Sequence, residues 1–310
     1  MKIILSIFLS LILTINVSAQ MKNNYNEFIE SVKKELSQIK IMSYEEHFNE
    51  QYFIVNEQNE YFDIGGQIGL TNLYNICNQN DKSNWSEIIN QHFELMKNTK
   101  KEEKDILPIL ENLESARMYI KFRIYPMDYL NYVEKSSIFD SRFTDFIGVV
   151  VIDLPSSVKN LDKSYLSKWS IGESEIIKLA LDNTLKSNQE TFEAYPISKS
   201  FIVNTLMSDE NIFITSCVYD LISKSIPLGS FGSFVAIPNR LGIVTKTIEK
   251  KTLNTDLFQM ISLVNYMYEQ GPGSITNEIF WFNGKTLFRI DHNQEKKSIK
   301  LPQELVELIK

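Results

Sequence analysis

Phe146-Ile147-Gly148-Val149-Val150-Val151-Ile152-Asp153-Leu154 is a nearly unbroken apolar run rich in β-branched residues. A stretch of this length, too apolar to tolerate water on either face, predicts a central strand covered on both sides. Upstream, Tyr119, Ile120, Phe122 and Ile124 include an alternating stretch that stops at Pro126, which predicts a neighbouring strand. Downstream, Tyr165, Leu166 and Trp169 mark a short helix. Ser170 with Glu173 then looks like a capping box opening a longer one, whose apolar pairs are Ile176/Ile177, Ala180/Leu181 and Thr184/Leu185.

Further strands are expected at Phe192 to Ile197 and Phe201 to Met207, and a helix within residues 213–226 carrying Cys217, Leu221 and Ile222. Pro238-Asn239-Arg240-Leu241 separates two β-branched runs, Ser233 to Ile237 and Gly242 to Ile248, and so predicts a hairpin. Leu257, Phe258, Ile261, Val264 and Tyr268 stripe a helix stopped by Gly271-Pro272-Gly273. A last hairpin joins Glu278 to Phe282 with Thr286 to Ile290 across Asn283-Gly284, read as a two-residue turn with both residues at positive φ. It is expected to belong to the same sheet as Val149 to Ile152.

Toward the N-terminus the period changes to that of helices. Tyr25, Phe28, Ile29, Val32, Leu36 and Ile39 form one stripe, and Leu70, Leu73, Tyr74 and Cys77 another. Asn84 and Glu87 look like a capping pair ahead of Trp85, Ile88, Ile89, His92, Phe93 and Met96. Residues 22 to about 98 therefore read as mainly helical, apart from one short strand or hairpin around Tyr52 to Ile64. The charged run from Lys100 to Lys104 is the best internal boundary, a solvated linker or helix end. The fold class expected is α+β: a helical N-terminal region, residues 20–104, packed with a mixed, largely antiparallel sheet flanked by helices, residues 105–310.

Residues 1–19 read as a secretory signal peptide. Lys2 precedes a 13-residue apolar run from Ile3 to Ile15, shorter than the roughly 20 residues a spanning helix needs, and Val17 and Ala19 are the small residues a signal peptidase reads. The mature chain would begin at Gln20 and be secreted or periplasmic. No later stretch of about 18 apolar residues follows, so no membrane contact is expected after cleavage. Of 310 residues, 32 are Lys or Arg and 39 Asp or Glu, a net charge of −7. Loss of Lys2 with the leader leaves 31 basic groups against 39 acidic ones, net −8, which repels phosphate backbones and argues against nucleic acid as a partner.

The strand ending Arg123-Ile124-Tyr125-Pro126, the FIGVVVIDLP run, the helix with Trp169 and Glu175 near its start and Ala180 and Asn183 within, the FGSFVAIPNR stretch and the closing TNEIFWFNGKTLFRI resemble the YtpQ-like family of uncharacterised bacterial proteins. The likeness extends as far back as Leu73-Tyr74 and Trp85 to Phe93. The family implies a fold and no reaction, and its familiar members carry no leader.

Chemistry-bearing patterns are sparse. His47, His92 and His292 lie far apart, with no HExxH, so no metal is expected. No phosphate-cradling glycine loop occurs, and no cofactor is indicated; Gly229-Ser230-Phe231-Gly232-Ser233 does not fit the frame of a nucleophile elbow. Cys77 and Cys217 are either a bridge closing a 140-residue loop, worth about 5 kcal/mol in the chain-entropy model, or two buried thiols. Arg240, a cation at a sheet end, and Trp281, opposite in face to Phe280 and Phe282, are the candidate binding residues; no catalytic residue is expected. The function expected is a non-enzymatic module binding a protein or small-molecule ligand. The alternative is a secreted hydrolase using Asp291/His292 or Cys217.

Overall fold

The computed structural model describes residues 24–47, 52–131, 133, 135–293 and 298–310; the proposed leader lies outside them. The chain forms two compact units that divide between Leu107 and Pro108.

The first unit opens with helix α1, residues 24–38. Phe28, Ile29, Val32 and Leu36 are buried along it at the expected spacing. Lys40 takes a left-handed φ of 62°, and the Ile41 amide closes the helix end by donating to the Leu36 carbonyl at 2.9 Å. Three antiparallel strands follow, β1 (Tyr44–His47), β2 (Tyr52–Val55) and β3 (Gly66–Gly69). β2 is central and buries alternate residues, Phe53 and Val55. The region is mainly helical as expected, but it holds three strands where one short strand or hairpin around Tyr52 to Ile64 is expected. The sequence YEEH of β1 has no buried residue, so it carries no hydrophobic alternation.

Helices α2 (Thr71–Asn78) and α3 (Trp85–Ile106) complete this unit. Leu73, Cys77, Trp85, Ile89 and Phe93 join Phe28 and Phe53 in one core. Buried Glu35 is satisfied there by neutral donors, Ser86 Oγ at 2.7 Å and Asn90 Nδ2 at 2.8 Å. Asn84 does not cap α3: its backbone is already helical (φ −94°, ψ −8°), because the 3-10 turn Lys82–Asn84 runs straight into the helix. The charged run belongs to α3 itself. Lys100 ties it to the β2–β3 connection, donating to the carbonyls of Asn59 (2.7 Å) and Phe62 (3.0 Å) and pairing with Asp63.

The second unit starts with the single turn α4 (Leu113–Ala116), capped by Asn112, whose Oδ1 accepts from the Glu114 amide at 2.8 Å. Strands β4 (Ile120–Pro126), β5 (Phe139–Asp140), β6 (Phe146–Asp153) and β7 (Val158–Asn160) form an antiparallel sheet with β6 at its centre. Phe146 to Ile152 are all buried, as the apolar run predicts. The outer edge of β4 is closed by side chains: Thr184 Oγ1 accepts from the Phe122 amide and Ser216 Oγ donates to the Phe122 carbonyl, both at 2.7 Å.

Helices α5 (Ser164–Trp169) and α6 (Glu173–Ser187) follow. Ser170 does not form a capping box with Glu173. It ends α5 in the left-handed region at φ 51°, and Gly172 takes the N-cap position of α6.

The remaining strands are β8 (Glu193–Pro196), β9 (Ile202–Met207), β10 (Ser233–Asn239), β11 (Gly242–Thr247), β12 (Ile279–Phe282), β13 (Leu287–Asn293) and β14 (Ser298–Lys300). They make a seven-stranded sheet in the order β14-β13-β12-β10-β11-β9-β8, every pairing antiparallel. Helix α7 (Leu253–Gln270) covers one face, where Leu257, Met260 and Val264 meet Phe234, Ile279 and Trp281. On the opposite face Phe280 meets Phe146 edge-on, ring centroids 5.9 Å apart. Helix α8 (Gln303–Ile309) buries Leu305 into the core under α7.

Three expectations change here. The terminal hairpin is not in the sheet of Val149 to Ile152; the two sheets are separate and meet by their faces. Its turn has four residues, since Phe282 pairs with Leu287, and of Asn283 and Gly284 only Gly284 has positive φ, at 92°. Asn283 instead folds the turn with its side chain, Oδ1 accepting from the amides of Lys285 (2.9 Å) and Thr286 (2.8 Å). Residues 213–226 hold a 3-10 helix, Ile214–Asp220, and turns, not an α-helix. The overall class is α+β, helices with antiparallel sheets.

Candidate functional site

β6 ends at Asp153, and the tight link to β7 follows as Leu154-Pro155-Ser156-Ser157. The loop after β9, Ser208 to Phe213, packs beside this link, and between them lies a cleft of about 430 Å³. Its walls are Asp153 to Ser157 on one side and Glu210 to Phe213 on the other. Phe213 and Ile212 belong to the same apolar cluster as Val149 and Val151, which fixes the loop onto the sheet. Its other end is held by the β10–β11 turn, where the Ser208 amide donates to the Leu241 carbonyl at 2.9 Å.

Asp153, Ser157 and Asn211 are among the polar residues that line the cleft. The carboxylate of half-buried Asp153 makes no hydrogen bond or ion pair among the described residues. Burial pushes its carboxyl above the usual range, opposed by the charges of Lys121 and Arg123 on β4. Ser157 Oγ is buried with no partner among the described residues. Asn211 is locked in place: Oδ1 accepts from the Phe213 amide at 3.0 Å, and Nδ2 donates to Asn188 Oδ1 and, at 3.3 Å, to Glu190 Oε1.

Behind this wall Asn188 donates through Nδ2 to the Phe213 carbonyl and to Cys217 Sγ, both at 3.3 Å, and its own carbonyl accepts from Lys224 Nζ. Cys217 is therefore coupled to the cleft without lining it. The thiol is fully buried, and burial pushes its pKa up against the contrary pull of Asn188 and Lys224, the opposite of an activated nucleophile. Cys77 is likewise buried and raised to about 11. Both cysteines are free thiols.

The other sequence candidates lie elsewhere. Arg240 occupies the β10–β11 turn, its amide donating to the Gly273 carbonyl at 3.0 Å and its side chain half-buried. Trp281 is 1 % exposed; its Nε1 donates to the Phe231 carbonyl at 2.7 Å and its ring stacks on Phe288. Asp291 and His292 do not pair, because neighbours on β13 point to opposite faces. Asp291 lies out toward Arg289, while the buried imidazole sits 3.6 Å from Glu278 Oε2. His47 stacks on Tyr52 in the first unit, and His92 is half-buried beside Phe93, its pKa lowered by burial. Among the described residues no cluster of His, Cys, Asp and Glu could hold a metal ion, and no helix is long and apolar enough to cross a membrane.

Asp153, Ser157 and Asn211 were missed by sequence reasoning. Asp153 closes an apolar strand and Ser157 and Asn211 sit in short links that look like ordinary turns, and only the three-dimensional surroundings distinguish them. No family model matches the chain, and neither a curated protein nor a solved structure does.

Proposed function

We propose that the mature chain is an exported, soluble, non-enzymatic binding protein that holds a small polar ligand in the Asp153–Asn211 cleft. The observation that carries this is the unmet hydrogen-bonding capacity of its walls. Among the described residues, a half-buried carboxylate without a hydrogen bond or ion pair and a buried hydroxyl without a partner each cost the folded state, and a ligand supplying a donor or cation relieves both. The locked Asn211 keeps one wall rigid, which lowers the entropic cost of binding. Binding is favoured over turnover because neither Cys217 nor His292 lines the cleft and Ser156 and Ser157 have no imidazole beside them there. The leader read at residues 1–19 supports export, and the resemblance to the YtpQ-like family makes a fold shared with those proteins part of the same proposal.

The test is a thermal-shift screen of polar and charged metabolites against the mature chain, alongside a variant whose cleft is filled, Ser156→Trp. At least one compound should raise Tm in the first and not in the second. Hydrolysis of ester, amide or glycoside substrates lost on Cys217→Ala or His292→Ala would overturn the reading in favour of a hydrolase. Mass spectrometry of the product exported by a bacterial host should show Gln20 first; a cytoplasmic product beginning at Met1 would overturn the export reading.

A further inference from the structure

Of the nine residues that line the Asp153–Asn211 cleft, two are charged, Asp153 and Glu210, and both are acidic. Asp153 is half-buried and Glu210 exposed, and neither carboxylate makes a hydrogen bond or ion pair among the described residues. Ser157 Oγ, on the same wall as Asp153, is buried without a partner among the described residues.

The cations on neighbouring strands are turned elsewhere. Lys121 and Arg123 stand on β4 opposite Val151 and Val149 of β6, and so share the sheet face of Asp153. Lys121 Nζ reaches to helix α6, donating to the Asn183 carbonyl at 3.2 Å and to Ser187 Oγ at 3.1 Å. The Arg123 guanidinium lies 4.9 Å from the ring centre of Tyr125, which pairs with Ile147 toward the far end of β6. Lys159 on β7 pairs with Ile152 and points to the opposite face. Behind the other wall the charges offset one another. Lys224 Nζ donates to the Asn188 carbonyl, while Glu190 accepts from Asn211 through Oε1 and keeps a buried Oε2 without a partner among the described residues.

The unmet groups of the cleft are therefore acceptors, carboxylate oxygens and a hydroxyl. An ammonium brings three donors and a positive charge to them, whereas an anion would meet like charge. Beside these groups Pro155, Ile212 and Phe213 supply apolar wall for a carbon stem. We infer that the cleft takes an aliphatic amine, with its ammonium on Asp153 and Ser157, its stem against Ile212 and Phe213, and Glu210 drawing the cation in. This inference rests on the binding role proposed for the cleft and adds the charge and chemical class of the ligand.

The experiment is isothermal titration of the mature chain, at constant ionic strength, with three probes of equal carbon number: cadaverine, pentanediol and glutarate. Cadaverine should bind saturably at one site, and the diol and the dicarboxylate about tenfold more weakly or not at all. Asp153→Asn should weaken cadaverine about tenfold or more, and Glu210→Gln, at an exposed position, about threefold. Glu304→Gln on α8 should leave it unchanged, and Ser156→Trp should abolish it. Far-UV circular dichroism checks each variant, and Glu210→Gln keeps the inference open to refutation should Asp153→Asn fail to fold. Cadaverine bound no better than the other two probes, no binding of any of them, or cadaverine binding unmoved by Asp153→Asn and Glu210→Gln would overturn the inference. Glutarate or pentanediol bound in preference and lost in Ser156→Trp would remove the amine and leave the cleft a binding site; cadaverine binding that survives Ser156→Trp would overturn both.

Discussion

Gly148 is the one break in the side chains of the central strand, and its replacement by alanine should be among the most damaging single-methyl additions in the protein. It pairs with Ile124, and the ring of Phe122, two residues along β4, lies flat across it. A Cβ at Gly148 would stand 1.9 Å from Phe122 Cζ and 2.2 Å from Cε1. Carbon atoms rest at about 3.5–4.0 Å, so the ring must retreat by roughly 1.5 Å or more. It has nowhere to go. Phe122 is fully buried, its ring meets Tyr219 edge-on at 5.0 Å, and its amide and carbonyl are pinned by Thr184 and Ser216. Overpacking costs about 1–3 kcal/mol, and a site without slack belongs at the upper end, about 3 kcal/mol. With a urea m-value of about 1–3 kcal/mol/M, the midpoint for the second unit falls by about 1–3 M. Urea titration read by fluorescence separates the units, because Trp169 and Trp281 report on the second and Trp85 on the first. Phe122→Leu alone should cost roughly 1–2 kcal/mol, and the double variant less than the sum of the two by at least about 1 kcal/mol, since the smaller side chain makes room for the methyl. A midpoint for Gly148→Ala within error of the parent, or strict additivity in the double variant, would refute the packing argument.

Val150→Asp places a carboxylate at a fully buried position without a partner; the expected cost of several kcal/mol, against a total stability of about 5–15, should abolish soluble expression, which fractionation of cell extracts would show. Both thiols should be silent toward a disulfide reagent at pH 8 and titrate as two only in denaturant; fast reaction of Cys77 in the native protein would contradict its burial and its pKa near 11. Burial raises the pKa of Glu278 despite Arg289 beside it, so the folded state holds this proton more tightly than the unfolded one. Its contribution to stability is complete below the ordinary glutamate range and is lost as pH rises through the folded pKa. Glu278→Gln should flatten that part of the stability–pH curve, and an unaltered curve in urea titrations from pH 4 to 7 would count against it.

The elements visible beforehand were those that announce themselves within a few residues. The stripes of α1 and α7 and the apolar run of β6 are local patterns, and they sit where the periodicity places them. What failed needed distant partners or a choice between two local options. Asn84 and Ser170 have the chemistry of N-caps, but the turns before them had already set their backbones. β1 has too many charges to look like a strand until β2 is beside it. Membership of the last hairpin was misplaced because β12 pairs with β10 across the whole of α7, a choice no local pattern encodes. The same holds for function. Arg240 stood out as a cation at a sheet end, but Asp153 and Asn211 had no reason to be singled out until the fold set them on opposite walls of one cleft. Trp281, singled out for its face on the strand, proves to be interior.

The strand order of the seven-stranded sheet also constrains how it can be assembled. β9 and β10 are successive strands along the chain, yet they do not touch, for β11 lies between them, and β10 in turn takes β12 as its other neighbour. A chain growing from its N-terminus therefore holds the β8–β9 hairpin and β10 as unjoined pieces until residue 242 and beyond exist to join them, and β10 keeps one open edge until α7 has been made and passed. Such interleaved, non-local pairing is slow. It leaves apolar strand edges exposed while it waits, so a shortened chain ending anywhere between β10 and β12 carries a half-built sheet prone to seek its missing strand in another molecule.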